Sequence, residues 1–297
     1  MKGNLEDGAI GGAETKRYVI WAAAIFLLLV IGGALFLNHF LARLVETEKL
    51  RTLISGKTGK ELGGSAGFLR LTAQGFNVES PGMLVTASPP RALRELRANH
   101  LSASLSLLEL WRGKFRIEEL SARHVQAAYG DEAARLVNRS EFSSPEMVPP
   151  LQTETPLSVD IRKVSIARAD LFWQDPKKDG GQIHDVEVTC FPDGKNLVVH
   201  GKGGLFHQAK WPETRVANFK LYYAKPALRI DESQLALGER GTIDVRGEFK
   251  FEENASLDVQ MKFEHCPIAP FLAKNNGDKI DGSFVGDAHL QKMVGNT

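Results

Sequence analysis

Apolar and polar residues alternate along most of the chain after Gly63, the period of a β-strand with one sheltered face. From Thr242 to Phe251, Ile243, Val245, Gly247, Phe249 and Phe251 fall on one face and Thr242, Asp244, Arg246, Glu248 and Lys250 on the other. From Ser256 to Glu264, Leu257, Val259, Met261 and Phe263 oppose Ser256, Asp258, Gln260, Lys262 and Glu264. The short EENA connection between the two runs predicts a hairpin. Leu101, Ala103, Leu105 and Leu107 alternate with serines, and SLLELWRG then predicts a helical turn ending at Gly113. Phe115 to Ala122, Arg123 to Tyr129, Val164 to Trp173, Gln182 to Phe191, Leu197 to Phe206, Arg215 to Tyr223 and Leu228 to Leu237 read as further strands. The final GDAHLQKMVGNT reads as a strand that starts and then stops, one whose edge needs a partner. Short polar turns between successive runs predict an antiparallel meander. Beyond Pro156 the only helical candidate is Pro267 to Lys274. A one-sided sheet without helices must pack on a second sheet, curl on itself or leave its apolar face to a ligand.

The N-terminal region has a different pattern. Tyr18 to Leu37 (YVIWAAAIFLLLVIGGALFL) carries no charge, and at 1.5 Å per residue it is ~30 Å long, enough to cross a bilayer core. Tyr18 and Trp21 mark one interface, and Leu28 and Leu37 belong to the apolar stretch. The run is too long for a signal-peptide core and lacks a small-x-small site after it. Lys2, Lys16 and Arg17 precede it and Arg43, Lys49, Arg51 and Lys57 follow it, so charge alone does not orient it. The short leading tail favours a cytoplasmic N-terminus with the bulk on the far side, the periplasm of a Gram-negative cell. Leu41, Leu44, Val45, Leu50, Leu53 and Ile54 predict that the helix continues past the membrane and ends near Gly56 or Gly59. Between 138 and 156, Pro145, Pro149, Pro150 and Pro156 predict a linker or long loop. The expected organisation is a tail (1–17), a span (18–37), a membrane-proximal helix (38–56), a first β-rich region (57–140), the Pro-rich segment (141–156) and a β-groove region (157–297).

Composition narrows the function. The 297 residues hold 37 basic and 36 acidic side chains, without the basic excess that phosphate binding requires, which speaks against a nucleic-acid partner. Two cysteines exclude a disulfide-stapled scaffold or a Cys-rich zinc module. Cys190 and Cys266 read as buried small residues; a disulfide between them is open to an oxidising compartment. The eight histidines form no HExxH pair, and neither His200 with His207 nor His265 beside Cys266 supplies the ligands of a metal site. Gly56-Lys57-Thr58 lacks the upstream glycine of a phosphate loop, because position 51 is Arg. No serine motif stands in the strand-to-helix context of a nucleophile elbow. Asn138-Arg139-Ser140 and Asn254-Ala255-Ser256 are sequons that matter only in a eukaryotic secretory setting. The expectation is a non-enzyme without metal or cofactor.

The layout of tail, single span and β-rich body resembles the AsmA family of Gram-negative envelope proteins. The similarity is sharpest at LSASLSLLELWRGKFRIEELSARHVQAAY, with Leu107, Leu108, Leu110, Gly113, Lys114, Ile117 and Leu120 in the family's strand, Leu-rich turn and K-x-x-I-x-x-L strand. A looser match is PLSVDIRKVSIARADLFWQD with the returning IHDVEV. The chain is shorter than many relatives, so it reads as a possible fragment. The resemblance, which extends to TamB-like and bridge-like lipid-transfer proteins, implies a mainly β fold: a transmembrane helix, then a curved antiparallel sheet forming a taco-like groove with few short helices. It implies phospholipid acyl chains as ligand, the inner membrane as location, other envelope proteins as partners, and a role in lipid transport or outer-membrane assembly. Ile243, Val245, Phe249, Phe251, Leu257, Val259, Met261 and Phe263 would line the groove. Alternation alone equally fits a closed sandwich core. The alternative function is a non-catalytic periplasmic scaffold that binds a protein through an open sheet edge.

Overall fold

The computed structural model describes residues 43, 46–87, 93–106, 109, 115–130, 145–150, 159–175, 178–194, 196–208, 211–251, 256–271 and 282–293. The expected tail and span, with Tyr18, Trp21, Leu28 and Leu37, lie outside these residues, as does most of the turn expected at 106–113. Among the described residues no helix is long and apolar enough to cross a membrane.

Among the described residues, the helix α1 (Glu48–Leu62) precedes fifteen strands. These are β1 (Gly64–Phe68), β2 (Thr72–Gln74), β3 (Asn77–Ala87), β4 (Leu93–Leu105), β5 (Phe115–Tyr129), β6 (Val159–Ile161), β7 (Val164–Asp175) and β8 (Lys178–Asp193). They continue with β9 (Asn196–Lys202), β10 (Leu205–Gln208), β11 (Thr214–Ala224), β12 (Ala227–Leu237), β13 (Gly241–Lys250), β14 (Ser256–Pro267) and β15 (Ser283–Met293). All fifteen belong to one large curved sheet, ordered β1-β3-β4-β5-β7-β8-β10-β11-β12-β13-β14-β15. Of the rest, β2 pairs with β3, β6 with β5, and β9 lies between β8 and β11. The described residues hold no second sheet, so the sandwich that alternation also permitted is not what they form.

The helix differs from expectation at both ends. It does not run through from residue 38, because Thr47 is extended (φ −72°, ψ 137°) and its side chain caps the Leu50 N–H. Nor does it stop at Gly56 or Gly59. It ends at Gly63, whose left-handed φ of 73° suits glycine and whose N–H reaches the Gly59 carbonyl. The two earlier glycines and Ser55 form its buried face instead. A Cβ at Gly59 would sit 2.5 Å from the Gly64 carbonyl oxygen, so small residues here permit close approach to β1.

The meander also needs correction. β5 and β7 pair in parallel, from Leu120↔Val164 to Tyr129↔Trp173, and β6 is parallel to β5 too. Parallel neighbours require a long crossover, and residues 130–163, including the Pro-rich segment, supply it. Within that connection Val148 exchanges two backbone hydrogen bonds with Ala66 (3.1 and 2.9 Å), placing 145–150 on the outer edge of β1. The two runs expected over 115–129 are one strand, while the run from Leu197 to Phe206 is two strands broken at Gly203-Gly204. Of the helix expected at Pro267 to Lys274, only a single 3-10 turn, Ala269–Phe271, lies among the described residues.

Candidate functional site: an apolar face across twelve strands

Residues directly opposite on adjacent strands share a face of the sheet. Following the register from strand to strand therefore traces each face. One row runs Ala73–Val78–Ala103–Leu120–Val164–Cys190–Val199–Leu221–Ile230–Gly247–Val259–Leu290. Every member is apolar or glycine. At the inter-strand spacing of ~4.8 Å the row extends about 50 Å. A second runs Leu101–Ala122–Ile166–Val188–Gly201–Phe219–Ser233–Val245–Met261–Ala288. Towards the end of the strands that carries Tyr129, a third runs Ala66–Val85–Leu96–Ala127–Leu171–Ile183–Phe206. The row lying between the first two reads Glu79–Ser102–Ser121–Ser165–Thr189–His200–Lys220–Glu232, polar throughout and on the opposite face.

The apolar face is only half covered. From Ala73 to Gly247 no member of the first row is fully buried. At the β15 edge Leu290 is 51% exposed. No aromatic side chain among the described residues is fully buried, and five of the thirteen buried apolar residues are alanines. A closed core of this many strands would bury its large side chains first. Two glycines keep the face low: the Phe219 ring lies over Gly201 and the Trp173 ring over Gly181, each pair directly cross-strand.

One part of the face is sealed. Leu237, Ile243 and Cys266 are each no more than 1% exposed, and Trp211, Phe263, Phe271 and Phe284 pack around them. Trp211 and Phe271 come from segments outside the strands and meet edge to face at 5.4 Å. Trp211 is fixed by its indole N–H donating to Thr214 Oγ1 (3.1 Å).

The eight residues expected to line a groove do come together, on β13 and β14. Ile243 opposes Phe263, Val245 opposes Met261 and Phe249 opposes Leu257. Their environments differ. Ile243 lies in the sealed cluster and Val259 is 8% exposed, whereas Val245, Phe249, Leu257, Met261 and Phe263 are half-buried. Phe251 lies one residue past the end of β13 and is 59% exposed, its N–H donating to the Pro226 carbonyl. On β3 to β12 the alternation in the sequence shows only part of the face, such as Leu101, Ala103 and Leu105 of β4, because the apolar positions switch parity midway along the long strands. In β5 they run 120, 122, then 125, 127, 129; in β7 they run 164, 166, then 169, 171, 173.

That switch coincides with a band of irregularities across the sheet. His100 in β4 and Asp185 in β8 adopt left-handed φ (50° and 57°), and Gly203 and Gly204 break β9 from β10. Register shifts occur at 216/218 in β11 and at 230/233 in β12. Bulges of this kind bend strands. On the polar side, buried Asp170 holds the band together. It accepts from His124 Nε2 (2.6 Å), Gln126 Nε2 (3.3 Å) and the Asp185 backbone N–H (3.0 Å). Burial alone would raise the Asp170 pKa, but these donors more than offset it and hold the carboxyl below its ordinary value. His184 Nδ1 is 3.8 Å away. Among the described residues no cluster of three His, Cys, Asp or Glu is placed to hold a metal. The two thiols are free; burial pushes the pKa of both upward.

No protein-family model matches the chain, and no curated protein or solved structure matches it. The face just described therefore carries the functional argument by itself.

Proposed function

We propose that this chain is a membrane-anchored envelope protein that shelters phospholipid acyl chains along its apolar sheet face, in lipid transport or outer-membrane assembly. The observation that carries this is the unbroken apolar row from Ala73 to Leu290 on a sheet with no second sheet against it among the described residues. Three half-covered rows would offer on the order of 1,000 Å² of apolar surface, well beyond the few hundred Å² that a monomer leaves without purpose. An acyl chain lying across the rows needs no polar partner, and the polar face can remain in water. The curve of the sheet would make the apolar side the inside of a taco-like groove. The span at 18–37 would tether it to the inner membrane with the sheet in the periplasm, and no step needs a catalyst, cofactor or metal. The AsmA-like features at 101–129 agree with this reading.

The test is photo-cross-linking of the full chain in its native membranes. A photoreactive amino acid replaces Leu221 on the apolar face or Lys220 on the polar one. The expected result is a phospholipid adduct by mass spectrometry at 221 and not at 220. Equal labelling at both positions, or none at either, would sink the proposal.

A further inference from the structure

The two long edges of the sheet are built differently. At one, the outer side of β1 is bridged by Val148 and α1 packs against the strand, so the edge is covered. At the other, β15 has a neighbour on one side only among the described residues, and it spans Ser283–Met293 without a proline. Open edges of that length are usually blunted by charge, proline or a covering segment. Here the strand carries Asp287 and Lys292 but also shows a large apolar side chain on each face, Leu290 (51% exposed) and Val285 (66%).

We propose that β15 pairs antiparallel with β15 of a second copy of this chain, about a two-fold axis at Ala288, joining two sheets into one. The axis position follows from the side chains. Centred on Ala288, Asp287 of each copy faces His289 of the other, giving two opposite-charge pairs when the imidazoles are protonated. Gly286 then faces Leu290, and Val285 faces Gln291. Centring on Asp287 or His289 instead sets like against like at the axis, which cross-strand pairing disfavours. Centring between two residues would place the apolar face of one copy beside the polar face of the other. Only the Ala288 axis both continues the apolar rows across the junction and gives charge complementarity. Within each copy His289 and Gln291 are already oriented by Asp258 (2.8 and 3.1 Å), so the edge is presented in order. The contact is isologous: each copy presents the same strand to the other.

This inference does not rest on the acyl-chain reading, and its test reads association alone. The full chain carrying Ala288→Cys, in detergent or nanodiscs, is treated with a short bismaleimide, beside the unsubstituted chain and a Val285→Cys variant. A covalent dimer is expected for Ala288→Cys only, because the two 285 positions would lie about 20 Å apart along the paired strands. Asp287→Lys should raise the dimer dissociation constant several-fold by sedimentation while leaving the circular dichroism spectrum unchanged. A monomer at every concentration would overturn the proposal. So would a dimer that links as well through 285, or one indifferent to Asp287→Lys.

Discussion

Asp170 shows how one side chain fixes a bend. From β7, its two oxygens take hydrogen bonds from two neighbouring strands, β5 through His124 and Gln126, and β8 through the Asp185 N–H. Asn at 170 would turn its amide donors towards donors and leave one of these partners unmet, at a cost of about 1–3 kcal/mol. The pH dependence has a definite sign. The folded pKa lies below the unfolded value of ~3.9. The stability Asp170 contributes is therefore complete above that value and lost as pH falls through the lower, folded one. Urea midpoints should show Asp170→Asn less stable than the parent at neutral pH, with the gap closing below about pH 4. A gap that stays constant would mean that the carboxylate charge has no part in the bend.

The glycines at the β9–β10 break extend this to the element. Gly204 has φ 94° and a Cβ there would strike the His184 carbonyl and the Val186 side chain, while a Cβ at Gly203, at φ 71°, would meet only the Asp185 carbonyl oxygen at an ordinary 3.9 Å. Gly204→Ala should therefore cost well over 1 kcal/mol, whereas Gly203→Asn, which tolerates the left-handed region, should cost only a few tenths. Thermal midpoints of the two variants would check the order. The same break explains what was legible in the chain. Where alternation runs uninterrupted, along β13 and along β14 as far as Phe263, the sequence shows the faces and the strand ends to within a few residues. Strands crossed by the bend show their face in the sequence on one side of it at most, as at Leu101, Ala103 and Leu105 of β4, because one extra residue sends every later side chain to the other side. The parallel pairing of β5 with β7 left no local signal, since only distant partners decide it. The helix was misplaced for a related reason. Gly56 and Gly59 read as terminators, yet they are the surface that meets β1.

At the scale of the whole molecule the apolar face divides into a sealed part and an open part, and the two should respond oppositely to substitution. Ile243, 1% exposed beneath Trp211 and Phe271, behaves as core, so Ile243→Ala should cost about 2–4 kcal/mol and loosen the β12–β15 end of the sheet. Leu221 lies mid-row, half-buried, with Val199 and Ile230 opposite it and no second sheet above it among the described residues. Asp there can reach water, so Leu221→Asp should leave the sheet folded while placing a charge in the path of any acyl chain. The expected pattern is retained cooperative unfolding with loss of lipid adducts from a photoreactive group placed nearby at Ile166. If Leu221→Asp instead unfolds the protein as Ile243→Ala weakens it, the face is closed in solution, and a sheltering role for lipid would have to be given up. If the variant folds and still yields adducts at Ile166, lipid reaches the face without following the row.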